Sequence, residues 1–330
     1  MIILKKLIVI ALILCVPVLS VCGTGAAYAD DGRVRVVATI FAPYDFTREI
    51  AGDSANIAML LQPGADVHSF EPTPQDIIRI QNSDVFIHVG GESWVQDILA
   101  SIDTSEMIII RMMDDVRLLY EEIIQGMDYT PADSALNYNP GWCEVCASEA
   151  GSHKPVFDKH VWTSPQNAIL IVESIARALA LSDPDNAYLY ARNAADYIAR
   201  LKALDTAFSD VADSAARNTI IFGDRFAFRY FAYAYNLDYF AAFPGCRGNT
   251  EPSAATVAFL IDIVNSENIP VVFHAEMSDK RLANTIAQAT GAGVRLLHAS
   301  HNVTRDEFAE GITYLDLMTQ NIEALRAALQ

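Results

Sequence analysis

The chain has 330 residues and a formal net charge of −18, with 41 acidic against 23 basic side chains. That length can bury a large core and points to two domains. So acidic a surface excludes nucleic acid and anionic membrane as surface partners, and is compatible with attracting cations.

Met1 to Ala29 reads as a signal segment. Lys5 and Lys6 form a basic start, and Leu7 to Val21 an apolar run too short for a comfortable membrane span. Two processing sites compete. Ala27-Tyr28-Ala29 before Asp30 is a small-x-small cleavage site, whereas Leu19-Ser20-Val21-Cys22 has the form of a lipoprotein box, with Val21 awkward before the cysteine. Either route predicts export, as a soluble periplasmic or secreted protein or as a cell-surface lipoprotein anchored through Cys22. Cys143, Cys146 and Cys246 then remain, too few for a disulfide-built scaffold.

Residues 32–182 read as a first α/β lobe. Strands are expected at Arg35–Ile40, Ala55–Leu61, Val85–Val89 and Met107–Met112, with helical patterns between them, so the sheet is parallel. Ligands collect beyond the carboxyl ends of such strands. His68 lies there, on a short loop after the second strand, ahead of a helix capped by Thr73 and opened by Pro74. From Asp128 to Pro155 the periodicity lapses into a loop holding Cys143, Cys146 and His153. A Cys-x-x-Cys with a nearby His suits a soft metal; in an exported protein the pair equally suits a disulfide. His160 comes just before a helix started by Ser164-Pro165.

Residues 183–216 read as one linking helix, begun by Asp183 and Pro184 and carrying an apolar stripe from Ala187 to Ala215. About 30 residues would reach roughly 45 Å, enough to cross two lobes. Residues 217–330 form the second lobe. Strands are expected at Thr219–Gly223, Leu237–Phe243, Val271–Ala275 and Val294–Ala299, with four helices around them. At their ends stand Asp224-Arg225, Cys246, His274 and Glu276, and His298 and His301. Strand alternation puts His274 and Glu276 on one side.

Three stretches, Val37–Phe46, Gly64–Gln75 and Asn82–Gly91, resemble the cluster A-I substrate-binding proteins of metal-specific ABC transporters, the zinc and manganese receptors. The similarity extends through the linking helix to the C-terminus. It implies two (β/α) lobes with parallel four-stranded sheets, joined by one long backbone helix, with a metal site in the inter-lobe cleft. By that resemblance His68 is a metal ligand, and His160, followed by Trp162 and Ser164-Pro165, matches the second ligand motif. The loop with Cys143, Cys146 and His153 falls where relatives carry an accessory metal-capturing segment. Arg225 stands where the family places a His or Glu; a guanidinium cannot ligate, leaving Asp224 as a substitute donor or as the partner of Arg225. Glu276 matches an acidic position near the cleft, and His301 takes the place of the family's Asp.

The resemblance implies a monomeric extracytoplasmic receptor whose partners are an ABC permease and its ATPase. Three imidazoles and a carboxylate suit Zn2+, ahead of Mn2+ or Fe2+. An exported zinc-dependent hydrolase is the competing reading, although neither His-Glu-x-x-His nor Gly-x-Ser-x-Gly occurs. A surface adhesin has no positive feature in the sequence.

Overall fold

The computed structural model describes residues 32–67, 70–127, 156–245 and 251–330. The signal segment, His68, Cys143, Cys146, His153 and Cys246 lie outside the described residues. Among the described residues no helix is long and apolar enough to cross a membrane.

The first sheet contains β1 (Val34–Ala38), β2 (Ala55–Met59), β3 (Val85–His88) and β4 (Ile108–Arg111), all parallel, in the order β2-β1-β3-β4. Helices α1 (Phe41–Ala51), α2 (Pro74–Gln81) and α3 (Ser93–Ser101) connect them. The second sheet contains β5 (Thr219–Phe226), β6 (Asp238–Pro244), β7 (Val271–His274) and β8 (Gly293–Leu296), again parallel, in the order β6-β5-β7-β8. Around it lie α6 (Arg229–Ala234), α7 (Ala254–Ser266), α8 (Arg281–Thr290), α9 (Arg305–Glu310) and α10 (Tyr314–Leu329). Between the sheets run α4 (Pro165–Ser182) and the long α5 (Ala187–Asp213).

Local chemistry explains most boundaries. Thr73 and Asp76 close a reciprocal capping box before α2, and Thr304–Glu307 and Thr313–Asp316 do the same for α9 and α10. Several expected boundaries shift, and the strand expected to reach Ala299 stops at Leu296. The long helix begins at Ala187, after a 3-10 turn over Pro184–Asn186; Asp183 does not cap it but accepts from Tyr190 Oη at 2.6 Å and Asn186 Nδ2 at 2.8 Å. Strand β5 runs past Gly223 to Phe226, with an irregularity between Phe222 and Arg225. The strand expected to reach Ala275 stops at His274.

The largest hydrophobic cluster threads both sheets and the helices between them, with smaller clusters on the outer face of each lobe. On α5, Tyr197 packs on Phe46 of α1, which meets Tyr314 of α10 edge-on at 4.8 Å; about three turns further on, Phe208 meets Phe231 of α6 at 4.9 Å. The start of α10 is pinned to α1 as well. Asp45, fully buried, accepts the Tyr314 N–H at 2.7 Å and pairs with Arg48, whose guanidinium donates to the Ile312 carbonyl at 3.0 Å. Burial pushes the Asp45 carboxyl up to about 6, against the pull of the Tyr314 N–H and Arg48.

Candidate metal centre

His160 opens a 3-10 turn, Val161–Thr163, that leads into α4. Asp158, two residues earlier, accepts the His160 backbone N–H at 2.8 Å and its ring Nδ1–H at 2.9 Å through one oxygen. Both side chains are 2% exposed, so the ring is locked. With Nδ1 donating, Nε2 keeps its lone pair for an electrophile. Gly245, at the end of β6, lies against the ring: a Cβ there would sit 2.6 Å from His160 Cε1.

His301 arrives from the other lobe, on the segment between β8 and α9. Its ring meets His160 edge-on with centroids 4.8 Å apart, and Trp162 at the same separation. Glu276 anchors the segment by its main chain. One carboxylate oxygen accepts the His301 N–H at 2.9 Å and the other the Ala299 N–H at 2.7 Å. The His301 Nδ1 stands 3.5 Å from the first of these oxygens. Burial pushes the His301 imidazole pKa down, and nearby His160 adds to this, against the upward pull of Glu276. Burial would raise the Glu276 carboxyl, but His298, His301 and the Ala299 N–H hold it well below the usual range.

The structure therefore brings together His160, His301 and Glu276 from loops of both lobes. Beside His301 and Glu276, a cavity of about 70 Å³ is lined also by Asp224, Arg225 and Val67. The Asp224 oxygens accept the N–H groups of Arg225 at 2.8 Å and Ala275 at 3.2 Å, so this residue braces the ends of β5 and β7. Glu276 and Asp224 each accept main-chain donors at the strand ends. Among the described residues no three His, Cys, Asp or Glu side chains are already gathered as a metal cage. His68 lies outside them, although Ala65 and Val67 on its loop line the cavity.

His274 and Glu276 do not share a strand face, because β7 ends between them. The His274 Nδ1–H donates to the Ala275 carbonyl at 2.8 Å, turning that ring onto its own backbone. His298 is committed elsewhere too: its Nδ1 accepts the Ser300 N–H at 2.9 Å.

Over residues 36–328 the chain matches the family described as ZnuA, zinc-uptake complex component A, periplasmic.

This chain belongs to the ZnuA family.

It is 31% identical over 324 residues to the zinc-binding lipoprotein AdcA of Streptococcus pneumoniae, a match covering 98% of this chain and 60% of that protein. Against the high-affinity zinc uptake system protein ZnuA of Bacillus subtilis it is 29% identical over 321 residues, covering 96% of this chain and 95% of the relative. Thus it spans about 60% of the length of the AdcA proteins it matches. Among solved structures it resembles the metal-dependent lipoprotein YcdH of Bacillus subtilis, with TM-score 0.72 and 28% identity over 90% of this chain and 99% of that one. The Zn(II)-bound ZnuA-like domain of Streptococcus pneumoniae AdcA gives TM-score 0.71 at 29% identity, with the same coverage.

Two contacts around this candidate centre carried a weak signal or none. Asp158 sits only two residues before His160, a spacing that local reading can flag. Trp162 donates its Nε1–H to the Ala299 carbonyl at 2.7 Å, tying the His160 turn to the His301 segment. Nothing in the sequence links positions 162 and 299.

Proposed function

We propose that this protein is an extracytoplasmic solute-binding receptor that captures a divalent transition metal, zinc first, and delivers it to an ABC permease driven by its ATPase. The observation carrying this reading is the approach of His160 and His301 from opposite lobes, with Glu276 behind His301 at the cavity. His68, on the loop after β2, adds a third imidazole, and a spare lone pair of Glu276 supplies the fourth donor. Such a nitrogen-rich tetrahedral set suits zinc better than manganese. Four protein donors leave no open position for water, which favours a carrier over a hydrolase.

Several relatives support the choice of metal, since AdcA and the Bacillus subtilis ZnuA are named for zinc. The signal segment places the receptor outside the cytoplasm, as a lipoprotein if Cys22 is acylated. It works as a monomer, and the loop with Cys143, Cys146 and His153 gathers metal ahead of the cleft.

Elemental analysis of the purified mature protein, followed by competition among zinc, manganese and iron, tests the proposal. Stoichiometric zinc at the cleft, resistant to the other two, is expected. Protein that binds none of the three at micromolar concentration would remove the reading.

A further inference from the structure

The turn that carries His160 is paired with an earlier stretch of its own lobe. Tyr120 and Phe157 face each other in an antiparallel bridge, flanked by two main-chain bonds. The Glu121 N–H donates to the Val156 carbonyl at 2.8 Å, and the Asp158 N–H to the Leu119 carbonyl at 2.9 Å. The Tyr120 and Phe157 rings stack with centroids 4.6 Å apart.

The second lobe grips this pair through Arg229 and Tyr230, at the start of α6. Arg229 holds the outer edge. It pairs with Glu122 and donates from Nε to the Tyr120 carbonyl at 3.4 Å, while Glu122 also accepts the Tyr239 hydroxyl at 3.0 Å. Tyr230 reaches inward and is 3% exposed. Its Oη accepts the Leu119 N–H at 3.2 Å and donates to the Asp158 carbonyl at 3.0 Å. Asp158 is thus held at its N–H and at its carbonyl, while one carboxylate oxygen takes the backbone and ring N–H groups of His160. Pinning both main-chain groups fixes the Cα–Cβ bond from which the carboxylate reaches the imidazole.

We infer that Tyr230 is a positioning residue for His160: from the opposite lobe, its hydroxyl locks Asp158 in the place from which Asp158 aims the imidazole. The inference rests on the reading of His160 as a metal ligand. It makes the aim of a first-lobe donor depend on contact with the second lobe. Phenylalanine would keep the ring but could neither accept from Leu119 nor donate to Asp158, and both main-chain groups would lose that partner.

The test compares Tyr230→Phe with Tyr239→Phe, which takes a hydroxyl from the same anchorage without touching Asp158. Zinc calorimetry and Co2+ absorption read the loaded mature protein, and the His160 Nδ1–H proton resonance reads the metal-free one. Tyr230→Phe should weaken zinc by about 10-fold, the lower end of the range for groups that orient a metal ligand. Its Co2+ spectrum should shift. Without metal, the His160 Nδ1–H resonance, assigned by its absence in His160→Ala, should broaden through faster exchange with water. Tyr239→Phe should lower the melting temperature as well, yet stay within about twofold of wild type for zinc and leave both spectra unchanged. In an Asp158→Ala background, Tyr230→Phe should cost less than about twofold, because the two act along one path. Should Asp158→Ala fail to fold, the contrast with Tyr239→Phe and the metal-free resonance decide alone.

Tyr230→Phe within about twofold of wild type, full additivity with Asp158→Ala, or an equal loss in Tyr239→Phe would overturn the positioning role and leave the receptor reading intact. Unchanged zinc affinity in His160→Ala would instead remove His160 as a ligand, and the role of Tyr230 with it.

Discussion

The two lobes repeat one strand order, yet they hold His160 and His301 in different ways. In the first lobe the ring itself is fixed: Asp158 takes the His160 Nδ1–H, and Gly245 closes on Cε1. In the second lobe the main chain is fixed, since Glu276 grips the N–H groups of Ala299 and His301 and leaves the His301 ring 3.5 Å from its nearest oxygen. Shared topology puts both loops at strand ends. One carboxylate anchors each loop: Asp158 takes both the backbone and the ring of His160, whereas Glu276 takes the backbone on either side of Ser300. The His160 ring is thus held through its Nδ1, and the His301 ring lies edge-on between His160 and Trp162 beside Glu276.

Removing either ring should break the comparison most severely. His160→Ala and His301→Ala are each expected to lower zinc affinity by at least ~100-fold, more than loss of a group that merely orients a ligand. Calorimetric titration checks this. A His301→Ala protein that binds nearly as tightly as wild type would make the second lobe a wall rather than a donor.

Gly245→Ala attacks the rigid side alone. The added Cβ would lie 2.6 Å from both His160 Cε1 and the Phe226 carbonyl oxygen, so ring or strand must move. Overpacking of this kind costs about 1–3 kcal/mol of stability, and zinc affinity should fall with it. Melting temperature and titration together read the result; an unchanged pair would mean that the His160 ring has slack.

A milder change separates charge from geometry. Asp158→Asn keeps an acceptor for the His160 Nδ1–H but removes the charge that makes the ring a stronger base, and should cost zinc affinity about 10-fold. An equal or larger loss at Mn2+ would argue that the imidazole is not the donor that selects the metal.

These expectations show which parts could be read beforehand. Helix starts at Pro74 and Pro165, the parallel alternation and the strand-end loops were legible, because capping residues and periodicity are local signals. His160 stood out for the same reason, with Trp162 and Ser-Pro beside it. The Tyr230 contact was not legible, since its partners are the backbone N–H of Leu119 and the backbone carbonyl of Asp158, which almost any residue would supply. Strand alternation was carried one pair too far at His274 and Glu276, because no side-chain signal marks the end of β7. The extension of β5 to Phe226 was missed at Gly223, which reads as a stop but sits where a Cβ would press on the backbone of Ala283 at 2.5 Å.

The smallest expected effect concerns pH, at Asp45, far along the chain from either histidine. Its folded-state pKa of about 6 lies above the ordinary 3.8, so the folded protein holds that proton more tightly than the unfolded chain. This group therefore adds stability as pH falls from about 6 toward about 4, and that contribution is absent above about 6. Against Asp45→Asn, the wild type should gain about 2–6 °C in relative melting temperature between pH 7 and pH 4.5. A difference that stays constant, or moves the other way, would show the Arg48 pair to be fully ionised throughout.

The continuity of the core from Phe46 through Tyr197 to Phe208 and Phe231 has a thermodynamic consequence. Two lobes with separate cores would melt in two steps, each with its own heat absorption. Here α5 contributes side chains to one shared interior, so opening either sheet strips apolar cover from the other. Calorimetry on the metal-free protein should accordingly give one cooperative transition with matching calorimetric and van't Hoff enthalpies. Slow-exchanging amides should likewise form a single class running along α5 into β1 and β5.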